Sequence, residues 1–368
     1  MKDSARTVVL DDEESGLRAK WVPEAGMVCA SLTHLGEELV AQNEGLGAYE
    51  ERGKTMGIPL LYPWANRLAG WSYEVADKSV TIEQDRTLVA TDGKGLPIHG
   101  VIGGRQSWKV EGARGRTRAR DTPQKEHRSP TGRPAPGASG PQPEHPPVAN
   151  VGFDGPPADG PRRERPLAGH QPGHDRLTAV LAWTADQKDL FGVFPFEHEV
   201  HYEAELAGGA LTVTIAVEAC GEDKVPVAFG FHPYLSLPGA ERERYEIELP
   251  RMRRLKLDER QIPEGQGEWS GRWRGTLADN VWDDGYGSLS EPAAFVVQAA
   301  GRRIEMTFLK GYPCAQTYAP KAGRFVCFEP MTAPANALRS GEGLEVLAPG
   351  ERYAASWRLM VLDVEPGA

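Results

Sequence analysis

In the heptapeptide Phe229-Gly230-Phe231-His232-Pro233-Tyr234-Leu235, a histidine is fixed between large apolar side chains and a proline. An imidazole gives and takes protons near neutral pH, and dehydration by Phe229, Phe231, Tyr234 and Leu235 would shift its pKa across the working range. That makes His232 a candidate acid or base; a buried histidine satisfied by a backbone carbonyl is the competing account. The natural partner for it is a carboxylate. Glu329, in Phe325-Val326-Cys327-Phe328-Glu329-Pro330-Met331, ends an apolar strand-like run just before a proline, so it is expected where a strand stops and a loop begins. Walled by Phe328 and Met331, its carboxyl would be desolvated, its pKa would rise, and it could act as a base. A solvated strand-end glutamate is the commoner fate of that residue type.

Two loops carry further polar groups. Gly57 to Leu68 contains Pro59 and Pro63, which exclude a regular helix and leave a stiff apolar loop ending in Asn66 and Arg67. Arg67 offers a planar fork of donors suited to hydroxyl oxygens, with an ordinary surface ion pair as the alternative. Pro97-Ile98-His99-Gly100 is predicted as a second loop, with His99 either facing a site or serving the loop itself. Trp64, Trp71 and Phe231 fit either an apolar platform for a ligand or the core. His198, Glu199 and His201 are the nearest approach to a metal cluster, but in a strand the two histidines point to opposite faces and joint ligation is awkward.

These groups have to be positioned by strands. Thr7-Val8-Val9-Leu10, Met27 to Leu32, Leu177 to Trp183, Phe194 to Tyr202, Leu211 to Val217, Arg303 to Phe308 and Tyr353 to Leu359 are rich in β-branched and aromatic residues, and Gly, Pro and Asp turns separate them. Trp71 to Ile82 is predicted as a hairpin, and helical periodicity is nearly absent. The pattern predicts an all-β protein, a large antiparallel β-sandwich spanning 1–368 as one domain. From 112 to 175 the composition changes: the segment holds 13 of the chain's 30 prolines, and its only large apolar residues are Val148, Val151, Phe153 and Leu167. No core can form from that, so a disordered Pro/Gly/Arg-rich insertion is expected there.

Four motifs together, Pro63-Trp64-Ala65-Asn66-Arg67, His99-Gly100, Gly230-Phe231-His232-Pro233-Tyr234 and Glu329-Pro330, resemble the aldose 1-epimerase (galactose mutarotase) family in order and spacing. The resemblance covers about 8–110 and 176–362. It implies the family's galactose mutarotase-like supersandwich and the interconversion of the α and β anomers of a hexose such as glucose or galactose. It implies His232 as catalytic acid and Glu329 as catalytic base, with Asn66, Arg67, His99 and an aspartate binding the sugar. The family's Asp-x-x-aromatic pattern fits both Asp279-Asn280-Val281-Trp282 and Asp283-Asp284-Gly285-Tyr286, of which Asp283 is preferred. Removing a proton from the C1 hydroxyl while protonating the ring oxygen requires one acid and one base, and no metal or organic cofactor. The alternatives are a hexose-6-phosphate 1-epimerase, which needs more basic groups than the single Arg67, and a sugar-binding protein without turnover. A glycoside hydrolase would need a pair of carboxylates where this chain has a histidine and a glutamate.

Charge and composition narrow the partners. A formal net charge of −10 argues against a general nucleic-acid or membrane surface role. The arginines at 114, 116, 118 and 120 have no interleaved aromatic on which a base could stack. With no apolar run of membrane length and no signal-peptide core after Met1, a cytoplasmic monomer or homodimer acting on a small aldose is expected. Cys29, Cys220, Cys314 and Cys327 lack Cys-x-x-Cys spacing and are expected to be small buried hydrophobes.

Overall fold

Along the strand His198–Ala207 every second side chain, from His198 through Val200, Tyr202 and Ala204 to Leu206, is buried, and the residues between are partly exposed. That period of two is the consequence of strand geometry when one face packs on a core. It recurs in Asp175–Trp183 and Arg352–Asp363. These strands belong to an antiparallel sheet of nine, in the order Lys109–Arg114, Asp175–Trp183, His198–Ala207, Ala210–Glu218, Arg352–Asp363, Arg302–Lys310, Ala293–Ala299, Glu246–Leu249 and Trp273–Thr276. The computed structural model of the chain describes residues 6–85, 87–114, 116–119 and 175–364, which fall in one compact unit.

A second antiparallel sheet lies against it, running from the edge strand Pro263–Ser270 through Met252–Leu257, Trp282–Gly287, Cys314–Ala319 and Val326–Met331 to the short strands Gly230–Phe231 and Leu60–Leu61; Tyr234–Leu235 also pairs with Val326–Met331. Aromatic rings join the two sheets. Phe231 meets Trp357 edge-on at 5.4 Å, and Phe295 lies 5.4 Å from Phe328. A third sheet, Arg116–Ala119, Arg6–Asp12, Leu17–Val22, Val28–His34 and Glu37–Glu38, is tied to the first where the Trp21 indole N–H donates to the Tyr202 hydroxyl at 3.0 Å. The rings contribute both apolar area and edge-to-face attraction, with polar tips satisfied inside the core.

The architecture is the expected all-β sandwich, with short helices at Gly45–Arg52, Lys188–Val193 and Ala337–Ser340. No helix among the described residues is long and apolar enough to cross a membrane. The strands Lys109–Arg114 and Arg116–Ala119 reach into the segment expected to be structureless from 112. Arg116–Ala119 covers the open edge of Arg6–Asp12, where ladder groups would otherwise be left unpaired. Of the rest of that expected insertion, Asp175 opens the strand Asp175–Trp183, and 115 and 120–174 lie outside the described residues. Cys29, Cys314 and Cys327 are buried, whereas Cys220 is exposed just beyond the end of Ala210–Glu218.

Candidate active site

The strand Val326–Met331 is buried on both faces, and its alternation divides two jobs. Phe328 points into the core between the sheets, while Cys327 and Glu329 share the opposite face. Register then assembles that face: Gln316 stands opposite Glu329, Tyr318 opposite Cys327, and Asp283 on the next strand opposite Tyr318. Glu329 does not end the strand, as its following proline had suggested. Pro330 sits within the ladder opposite Ala315, and Met331 pairs with both Cys314 and Gly230.

His232 comes from the link between Gly230–Phe231 and Tyr234–Leu235, the two short strands that flank it beside Val326–Met331. Its Nε2 lies 3.3 Å from Glu329 Oε1, and its ring stacks on Tyr234 with centroids 4.4 Å apart. Both side chains are nearly inaccessible, at 5% for His232 and 2% for Glu329. Burial therefore dominates their chemistry. It holds the Glu329 carboxyl well above the ordinary carboxylate range, assisted by Asp283 and opposed by Arg67. The same burial, with Arg67 adding to it, lowers His232.

The Asn66–Arg67 and Pro97–Gly100 segments are zipped together over this face. Arg67 bridges to Ile98, Tyr62 to Gly100, and the His99 amide donates to the Asn66 carbonyl at 3.0 Å. Asn66 and His99 both adopt left-handed backbone conformations, with φ of 59° and 63°. Gly100, at φ 69°, passes so close to Tyr62 that a Cβ there would stand 2.2 Å from the Tyr62 carbonyl oxygen. His99 thus belongs to a short strand, Pro97–Val101, rather than a free loop, and the crossing turns its ring edge-on to His232 at 5.5 Å. Burial, with His232 and Arg67 adding to it, drives the His99 pKa well below 6.5, and Nδ1 has no hydrogen-bond partner among the described residues. A neutral imidazole of that kind can donate or accept one hydrogen bond to a ligand.

Arg67 is held by three groups. Its backbone and guanidinium donate to Asn66 Oδ1 at 2.8 and 3.1 Å, its Nε donates to Asp92 at 3.0 Å, and its Nη2 lies 3.5 Å from Asp283. Asp283 in turn accepts from Gln316 at 2.6 Å. Of the two candidate aspartates, Asp283 lines the cavity and Asp279 is exposed outside it.

The cavity so enclosed has a volume of about 160 Å³ and collects His232, Glu329, Asn66, Arg67, His99 and Asp283 in one place. Gln316 and Tyr318, which stood out in no motif, also line the cavity, and Asp92 supports it from behind through Arg67. Gln316 and Tyr318 were detectable as alternate residues of one strand, but only the register shows that their face is Glu329's; Asp92 carries no signal of its own. Trp64 and Phe231 are core residues, and the aromatic lining comes from Tyr234 and Tyr318.

His232, Cys327 and Glu329 present ligand atoms within 4.8 Å of one another. Burial and the Glu329 charge push the Cys327 thiol well up, which opposes the thiolate that a metal needs. His198 is turned inward to Tyr62 and Phe196, while His201 faces Glu199 and Glu218, so that pair is divided between faces as strand geometry requires.

A profile of the aldose 1-epimerase family matches residues 167–359. A Synechocystis protein of known structure aligns over 97% of this chain and 96% of its own at 20% identity, with a TM-score of 0.65. A putative aldose 1-epimerase of Escherichia coli K12 aligns over 95% and 97% at 17% identity and TM-score 0.61. A galactose 1-epimerase of Lactobacillus acidophilus aligns over 98% and 99% at 13% identity and TM-score 0.64. At these identities the structural likeness is one of fold. No curated protein sequence matches the chain significantly.

Proposed function

Because the chain belongs to the aldose 1-epimerase family, we propose that it interconverts the α and β anomers of a hexose such as glucose or galactose, with His232 and Glu329 as its acid and base. The observation that carries this reading is the 3.3 Å contact between His232 Nε2 and Glu329 Oε1 at the buried end of a polar cavity of about 160 Å³. The two oxygens that exchange protons, the C1 hydroxyl and the ring oxygen, are attached to the same carbon. A pair of groups side by side can therefore reach both.

The pair holds one proton between its members. With that proton on His232, Glu329 takes the proton of the C1 hydroxyl, the C1=O bond forms, the bond from C1 to the ring oxygen breaks, and the ring oxygen takes the His232 proton. The pair is left as neutral imidazole and neutral carboxylic acid, which is the arrangement that burial favours. Rotation about C1–C2 presents the other face of the aldehyde, and closure returns both protons. Two positioned groups together can supply roughly 10⁴-fold or more. Arg67, Asn66, His99 and Asp283 would hold the remaining hydroxyls. Among the described residues Arg67 is the one Arg or Lys lining the cavity, and Asp92 and Asp283 already face it, which disfavours a phosphorylated sugar.

Polarimetry of freshly dissolved α-glucose or α-galactose tests the reading. Rotation should decay faster than in buffer with the wild-type chain and at the buffer rate with His232→Ala. Decay at the buffer rate with the wild type overturns it.

A further inference from the structure

The cavity of His232 and Glu329 is deepest at those two residues, while Asp283 is 35% exposed and also lines a second hollow on the outer strands of the same sheet. The second hollow is larger, about 630 Å³ against about 160 Å³. Met252–Leu257, Pro263–Ser270 and Trp282–Gly287 contribute to it. Its most conspicuous group is Trp269, a large aromatic left 48% exposed on an edge strand. The Arg251 guanidinium lies 4.6 Å from the indole centroid and steadies it. Gln261 and Ser270 also line the hollow.

The charges of the hollow do not suit an anion. Arg254 and Lys256 stand against Glu268, Asp283 and Asp284, and Arg254 is already paired with Asp284. An exposed indole in a hollow that also holds neutral polar groups and no surplus positive charge matches a neutral sugar ring. The apolar face of such a ring stacks on the indole while its rim of hydroxyls finds donors and acceptors.

We infer that this hollow is a second sugar subsite. The inference rests on the epimerase reading above: the reducing unit of a disaccharide or longer saccharide enters the inner cavity with its anomeric carbon at His232 and Glu329, and the next unit leaves past Asp283 to lie on Trp269.

Calorimetric titration of the full chain with glucose, maltose and isomaltose, repeated with Trp269→Ala, tests it. At least one disaccharide should bind the wild type about tenfold more tightly than glucose, and Trp269→Ala should remove that advantage while leaving glucose affinity unchanged. Equal binding of all three sugars, or an equal loss for all three in the variant, overturns the subsite and leaves the epimerase reading standing. Failure of every sugar to bind overturns both.

Discussion

His232 Nε2 and Glu329 Oε1 face each other at 3.3 Å with both side chains almost wholly buried, so neither group can change its charge without the other responding. Glu329→Gln keeps the shape and removes the proton acceptor; His232→Ala removes its partner. Each should lower the mutarotation rate constant by about 10²-fold or more. A variant that retains wild-type turnover in polarimetry would remove that residue from the chemistry.

The same pair sets a pH signature of stability. In the folded chain burial raises Glu329 from 4.5 and lowers His232 from 6.5. Unfolded, the pair binds two protons below 4.5, one between 4.5 and 6.5, and none above 6.5. Stability falls with rising pH wherever the folded state binds more protons, and with falling pH wherever it binds fewer. Glu329's contribution therefore falls as pH rises above 4.5 toward its raised pKa, and that of His232 falls as pH drops below 6.5. The limiting slope is about 1.4 kcal/mol per pH unit. In Glu329→Gln only neutral His232 remains, so its contribution is level above 6.5 and falls below it. Urea unfolding across this range should show the variant gaining on the wild type as pH rises above 4.5 toward the raised pKa of Glu329. A difference independent of pH would refute this account of the pair.

Arg67 binds Asn66, Asp92 and Asp283 through separate arms of its guanidinium, a geometry that a single ammonium cannot copy. Arg67→Lys is expected to raise KM for the sugar by about tenfold with a smaller change in kcat, since the loss is of ordinary binding. Activity loss confined to kcat would argue that Arg67 acts on the reacting atoms instead.

Asp283 and Asp279 fit the same sequence pattern and part company in the structure. Asp283→Asn should raise KM about tenfold by weakening the charge-assisted contacts to Arg67 and to substrate. Asp279→Asn should leave both constants unchanged. The opposite ranking in steady-state kinetics would reverse the assignment.

Gly100→Ala places a methyl group against the Tyr62 carbonyl and keeps a left-handed φ that alanine resists. A loss of about 2–4 kcal/mol in urea unfolding is expected, with weaker sugar binding because the His99 and Asn66 segments no longer lock together. Wild-type stability would mean that this crossing is looser than the contact implies.

Much of this was legible along the chain. The period-two patterning of His198–Ala207 and the β-branched runs determined the all-β class, because alternation is a local property of the backbone. His232 and Glu329 stood out by residue type and apolar flanks alone, since both carry an unusual environment in their own neighbours. What the chain could not state was distance. Only strand register put Gln316, Tyr318 and Asp283 on the face of Glu329, and only the crossing of two left-handed segments turned His99 onto His232. Asp92 became a partner of Arg67 in the same way. The desolvation that shifts His232 and Glu329 is likewise a tertiary property: it depends on how many layers of protein lie between a group and water, and no local sequence encodes that.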